Sequence, residues 1–366
     1  MLQRTFFSLA ILTLITTAPN APAKSRKATV SFSLAKACTS AQGQIYIDQA
    51  QYRDAIREFT CVINDQPTEV EGYRGRIEAE LLSGRYSDAV RDYARVTALV
   101  EPVHPDAESI ILASYSSRLA IDENNVAALT GASFAHWWYF DYPGAIHVLN
   151  QLLSVRPNDT YGNLFRGSSR VLSGSSRANG ALDLERAIAL EPQSPDVHYI
   201  VADAYTYGSL PDPNRAFAEA TLALNGGLDT PRVHAILAAA YNNFGNLIAS
   251  ATEIERHIDL VTTQLITTTL ISSRTSLNLN LAPGRTYDIP LPVVAGQTVA
   301  ISTSSRDFYD TILVLLAPDG SPVLGADDTN KYFAAFEWKA ATTGTYRVLV
   351  TSFEAVNTGQ LTITRN

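Results

Sequence analysis

One short pattern recurs along the first two thirds of the chain, and it constrains the fold more than any other feature. Gly43-Gln44-Ile45-Tyr46 is followed by Tyr52-Arg53-Asp54-Ala55-Ile56, then by Phe59 and Pro67. Gly84-Arg85-Tyr86-Ser87-Asp88-Ala89-Val90, Tyr93 and Pro102 repeat it. A third copy runs through Asp141-Tyr142-Pro143-Gly144-Ala145-Ile146, Leu149, Leu152 and Pro157. A fourth closes on Ala187-Ile188-Ala189-Leu190-Glu191-Pro192, after a loose Ser173-Gly174-Ser175-Ser176 turn. The last two copies match each other at an offset of 36 residues, Val197-His198-Tyr199 through Tyr205 against Val233-His234-Ala235 through Tyr241. A fixed period of this length means stacked supersecondary units, each burying its apolar face against its neighbours. Six copies cover residues 36–262.

The residue types within one copy are those of a helical hairpin. The pattern resembles the tetratricopeptide repeat, whose period is roughly 34 residues. In the first copy Gly43 and Ala55 stand where that family keeps small residues, so that two helices approach closely. Tyr46, Tyr52 and Phe59 stand where it keeps large ones, and Pro67 ends the second helix. The expectation is a right-handed α-solenoid of about six hairpins over residues 29–265. One stretch departs from the pattern. Asp106 to Ala113, continuing to Leu119-Ala120-Ile121-Asp122, reads as one amphipathic helix too short for a whole repeat. An irregular helix is therefore expected near 103–125.

After Leu260 the helical period stops. Residues 262–276 are rich in Thr, Ser and Ile, with little Gly or Pro, and suggest docked domains rather than a free linker. Runs of period two follow: Ser276 to Leu281, Thr298 to Ile301, Ile312 to Leu316, Tyr346 to Val350 and Gln360 to Ile363. Alternation of this kind marks half-buried strands, and Pro283-Gly284, Pro318-Asp319-Gly320 and Thr343-Gly344 mark turns. An antiparallel β-sandwich or jelly roll is expected over 272–366. Ala295-Gly296-Gln297-Thr298-Val299, Asp310 to Gly320, Asp327-Asp328 and Thr343 to Val350 resemble the bacterial pre-peptidase C-terminal domain. Members of that family trail secreted proteases and are linked to export or surface binding. With no peptidase ahead of it, the resemblance implies an accessory β-module and no proteolytic activity.

The first residues read as an export signal. Arg4 precedes the apolar run Phe6 to Thr16, and Ala21-Pro22-Ala23 is a small-x-small cleavage pattern, giving a signal peptide over 1–23. The run is shorter than the ~20 apolar residues of a membrane span, so no transmembrane anchor is expected after cleavage. In an oxidising compartment Cys38 and Cys61 can pair, and the repeat register puts both at the open end of one hairpin. The alternative is two small buried hydrophobes. A net charge of -8 without a basic stripe argues against nucleic acid.

Catalytic patterns are absent: no His-Glu-x-x-His, no Gly-x-Ser-x-Gly and no phosphate-cradling glycine loop. The repeat resemblance implies instead a concave groove lined by the first helix of each hairpin. Carried over residue by residue, its groove-facing positions are Phe134, Trp137 and Trp138, then Phe165 and Leu172, then Tyr199, Asp203 and Tyr207, then Asn242 and Asn243. Aromatic anchors dominate binding hot spots, and asparagine amides can hold an extended backbone. Adjacent Trp137 and Trp138 are about 100° apart on a helix and cannot both face the core squarely. His198 and His234 occupy equivalent positions, without a third metal ligand. Asp310, Asp319, Asp327 and Asp328 surround loops of the β-module and suit Ca²⁺, although aspartate favours such bends anyway; no other cofactor is expected. The functional expectation is an exported, non-enzymatic scaffold holding an extended segment of another extracytoplasmic protein. The alternative is a carbohydrate- or matrix-binding accessory protein acting on surface glycan through the β-module.

Overall fold

The computed structural model describes residues 38–67, 70–83, 85, 88–89, 91–92, 112, 115–117, 119–268, 275–282, 284–305, 310–327, 333–353 and 359–365. The expected signal peptide, Tyr86, Tyr93, Pro102, most of the expected irregular helix and Asp328 lie outside these residues. Helices come first: α1 (Ser40–Asp48), α2 (Tyr52–Asp65), α3 (Val70–Leu82), α4 (Val126–Trp138), α5 (Tyr142–Val155), α6 (Thr160–Ser173), α7 (Arg177–Leu190), α8 (Pro195–Tyr207), α9 (Pro213–Asn225), α10 (Pro231–Asn243) and α11 (Leu247–Val261). Pairs α1/α2, α4/α5, α6/α7, α8/α9 and α10/α11 are hairpins, and α8 packs on both α6 and α10, so the first helices form a continuous row.

Local chemistry sets the helix starts. Ser194, Asp212 and Thr230 accept hydrogen bonds from backbone N–H groups three residues on, each with proline next in the chain. Close approach depends on the small residues of the repeat. The Phe59 ring lies between α1 and α3, and a Cβ on Gly43 or Gly75 would stand 2.6 or 2.1 Å from it. The irregular stretch contributes Tyr115, whose buried ring fits against Gly131 on α4, where a Cβ would be 2.3 Å away. One apolar core then runs from Ile77 on α3 to Leu237 on α10.

The strands are β1 (Gln264–Thr267), β2 (Thr275–Leu281), β3 (Arg285–Val293), β4 (Thr298–Ser305), β5 (Thr311–Leu316), β6 (Pro322–Asp327), β7 (Ala335–Lys339), β8 (Gly344–Ser352) and β9 (Gly359–Arg365). They form two sheets, β1-β3-β8-β5-β6 and β2-β9-β4-β7. Leu279, Val299, Ile301 and Ile363 of the second sheet pack on Ile289, Leu313, Val348 and Val350 of the first, which makes a sandwich. All pairs are antiparallel except β1 with β3.

Two details depart from the sequence reading. The module begins at Gln264 rather than 272, because the chain leaves α11 directly into β1, where Thr263 and Gln264 N–H groups donate to the Gly284 carbonyl. The first sheet is also covered on both faces. Ile312, Val314, Leu316 and Leu349 face Ala251, Ile254 and Ile258 of α11, while Leu313, Leu315 and Val350 face the second sheet. That is why β5 is buried throughout and does not alternate.

Candidate functional site

The row of first helices positions the residues expected in the groove, and half of them prove to be interior. Phe134 and Trp137 on α4, Phe165 on α6 and Tyr199 on α8 are 4, 3, 1 and 0% exposed. Ring centroids are 5.3 Å apart for Phe134–Phe165 and 5.1 Å for Trp137–Phe165. The indole N–H of Trp137 donates to Ser168 Oγ at 3.0 Å. These four are therefore corrected from surface anchors to core. Successive first helices touch along this stripe, and large rings are what fill the gap between them. The ~100° step from Trp137 to Trp138 leaves Trp138 half-buried.

Trp138 forms one wall of a slot of about 40 Å³ with Ile77, Leu81, Tyr115, Phe134 and Ala135. That volume exceeds the ~10–15 Å³ one water needs and matches the end of an aliphatic side chain. The rim is polar: Arg74 donates to the Tyr139 hydroxyl and to Glu71.

A second feature lies further along the row. Asp203 is buried and accepts from Arg232 Nε at 2.9 Å, so its charge is spent inside the array rather than offered to a ligand; this too corrects the expectation. The Arg232 guanidinium lies 3.9 Å from the Tyr207 ring centroid and 5.8 Å from that of Phe353 in the β-module. Nearby, burial and then the Asp203 charge push the Tyr142 hydroxyl well above the usual tyrosine range. Tyr207 is 42% exposed. Asn242 and Asn243 are exposed as well, although the Asn243 amide turns back to the Ala239 carbonyl at 2.8 Å. Leu172 is half-buried.

The repeated histidines bind helices together. His198 Nδ1 meets Glu219 Oε2 at 2.5 Å, and His234 Nδ1 meets Glu253 Oε2 at 2.6 Å. Arg166–Asp183 links α6 to α7 in the same manner. Burial lowers the His234 ring, but hydrogen bonds to Glu253 and Asp229 outweigh it and leave the ring raised. Cys38 and Cys61 form a disulfide with Cα atoms 5.9 Å apart, tying α2 to the chain just ahead of α1.

In the β-module Asp319 caps its own turn, accepting from the Ser321 hydroxyl and N–H at 2.7 and 3.0 Å, which lowers its carboxyl. Asp310 precedes β5 and Asp327 ends β6. Among the described residues no three His, Cys, Asp or Glu side chains come together as a metal site; Asp328, the fourth expected carboxylate, lies outside them. Sequence reasoning missed Arg74, Tyr139, Tyr142 and Arg232, whose partners are remote in the chain and leave no local pattern.

No protein-family model matches the sequence, and no curated protein does. Similar solved structures include tetratricopeptide repeat proteins and a pre-peptidase C-terminal domain. A tetratricopeptide repeat protein of Parabacteroides merdae is 13% identical, with TM-score 0.36, over 60% of this chain and 77% of its own. A thermophilic one of Thermus thermophilus is 18% identical, with TM-score 0.33, over 55% and 96%. The pre-peptidase C-terminal domain of a Bacillus anthracis collagenase is 14% identical, with TM-score 0.24, over 28% and 94%.

Proposed function

We propose that this chain is an exported, non-catalytic binding protein that holds a segment of another extracytoplasmic protein along the row of first helices. The observation that carries the reading is the slot beside Trp138. It is apolar inside, and Arg74 and Tyr139 at its rim offer hydrogen-bonding groups to a backbone. An apolar anchor surrounded by polar groups is the usual make-up of a binding hot spot. Tyr207 stacked on Arg232 provides a second, rigid aromatic surface on the same row. Export rests on the signal pattern at 1–23 and is supported by the Cys38–Cys61 bond, since disulfides persist in oxidising compartments. Among the described residues no helix is long and apolar enough to cross a membrane.

The test is capture from an envelope extract by the full chain, compared with Trp138→Ala and Tyr207→Ala. A protein held by the wild type and lost by folded variants supports the reading. Equal capture by all three removes these two residues from the binding surface.

One observation favours the alternative reading, a β-module that binds neutral glycan. On β2, β9 and β4 the outer face of the second sheet carries Ser276, Asn278, Asn280, Thr362, Ser302 and Ser304, all uncharged, while the edge strand β7 adds Glu337 and Lys339. Thr362 donates to Asn278 at 2.8 Å across the strands. Retention of the full chain on an insoluble neutral polysaccharide, lost on combining Asn278→Ala with Thr362→Ala, would favour it.

A further inference from the structure

The helices and strands belong to one compact unit, and they meet at a joint formed by α11, the start of α10 and the first sheet. His257 stands at its centre, with its ring fully enclosed. Nδ1 lies 2.9 Å from the Pro231 carbonyl oxygen, and Nε2 lies 3.0 Å from that of Phe353. The Phe353 ring packs on the imidazole at 4.7 Å between centroids.

Both polar partners are carbonyl oxygens, which only accept. A neutral imidazole has one N–H to give, so it satisfies one carbonyl and turns a lone pair toward the other. An imidazolium would donate to both, yet its surroundings oppose the charge. From α10 it faces Arg232 and His234, both of which disfavour it. From the β-module it meets a backbone carbonyl and an aromatic ring. Along α11 Glu253 is engaged with His234, Arg256 with Asp229, Glu255 stands beside Arg347 of β8, and Asp259 is exposed to solvent. Burial outweighs the two hydrogen bonds and pushes the ring down to about 4.

We propose that acid loosens this joint: charging His257 favours separation of α10 and α11 from the first sheet, and with it withdraws Phe353 from the Arg232–Tyr207 corner of the row of first helices. In the closed joint the ring stays neutral; in the open joint it regains an ordinary value near 6.5. A group lowered in the closed state contributes fully above its open-state value and is lost as pH falls toward the closed-state value. With these two values the opening constant rises about 30-fold between pH 7.5 and 5, and approaches about 300-fold at its limit.

The test is amide hydrogen exchange of the full chain from pH 7.5 to 5, corrected for the intrinsic pH dependence of exchange. Peptides from α11, β5 and β6 report the joint, and peptides from α5 and α6 report the array. The wild type should show the joint opening about 30-fold more at pH 5 while α5 and α6 stay flat. His257→Gln keeps an amide donor and cannot titrate. Its joint should show no such slope, whatever its absolute opening, while the opposing contribution of His234 remains in both proteins. A flat wild type, an equal slope in His257→Gln, or joint and array peptides rising together would overturn the proposal.

Discussion

Trp137 and Trp138 are neighbours in the chain, and the structure assigns them opposite jobs, so substituting each in turn separates packing from binding. Trp137→Ala removes an indole that packs on Phe134 and Phe165 and donates to a buried serine. Truncating a buried aromatic to alanine costs about 3–5 kcal/mol, and leaving Ser168 without its donor adds about 1–3 kcal/mol. Trp137→Phe keeps most of the ring and loses the hydrogen bond, so it should cost only about 1–3 kcal/mol. Trp138 is half-buried, and Trp138→Ala should cost about 1–2 kcal/mol.

The assay is urea unfolding followed by helical circular dichroism, with limited proteolysis to locate the loss at α4–α6. The expected order of destabilisation is Trp137→Ala, then Trp137→Phe, then Trp138→Ala. Binding of the captured partner should rank differently, falling most for Trp138→Ala relative to its stability loss. If Trp137→Ala unfolds within about 1 kcal/mol of the wild type, below the range for any buried aromatic, the assignment of this residue to the core is wrong.

Three further outcomes follow from single contacts. Combining Cys38→Ser with Cys61→Ser opens a loop of sequence separation 23 and should cost about 3 kcal/mol. The loss should be confined to the first hairpin and read as faster exchange of α1 and α2 amides. Gly75→Ala should destabilise by about 1–3 kcal/mol, since its Cβ would stand 2.1 Å from the Phe59 ring, and Phe59→Leu in the same chain should recover part of this in thermal melts. Glu80 is buried, and burial, then the Asp92 charge, push its carboxyl up to about 8. The folded state therefore keeps a proton that the unfolded chain has released, and stability from this group falls as pH rises from 4.5 to 8. Glu80→Gln should raise stability by up to about 3 kcal/mol at pH 7 and by nothing near pH 4.5, as measured by denaturant midpoints at the two pH values.

The hairpin array was legible because its constraint is local. A small residue and a large one recur at fixed spacing, Ala55 with Phe59, Ala89 with Tyr93 and Ala145 with Leu149, and the resemblance of that spacing to the tetratricopeptide pattern implies two helices in close contact. The strands were legible for a similar reason, through alternation in β2, β4 and β9. Ile312 to Leu316 reads in sequence as one of the alternating strands, whereas β5 has six buried residues in a row; an unbroken apolar run is the mark of a strand covered on both sides. The direction in which each aromatic points was not legible. Phe134, Phe165 and Tyr199 sit on first helices that touch several neighbours, so a periodic pattern marks them as apolar without saying which neighbour buries them. Arg74 with Tyr139 and Arg232 with Asp203 join residues 65 and 29 positions apart, and no window of sequence holds both partners. β1 is four mostly exposed residues, too short and too polar to stand out from a linker.

The joint also bears on what the β-module is for in this chain. A solenoid buries each hairpin against the next, so its last helix pair presents an apolar stripe that needs a cover. Ala251, Ile254 and Ile258 form that stripe on α11. Their cover is the face of the first sheet made by Ile312, Val314, Leu316 and Leu349. The fit is close: on β6, a Cβ at Gly325 would lie 2.6 Å from Ile254 Cδ1. A sheet that served only as an independent binding module would keep this face polar, as the outer face of the second sheet is. Two apolar faces that match each other mean that the array and the module are each incomplete alone. The binding surface of the row and the stability of its C-terminal hairpin therefore depend on the same contact, and Arg232, which touches Phe353 on one side and Tyr207 on the other, is where the two meet.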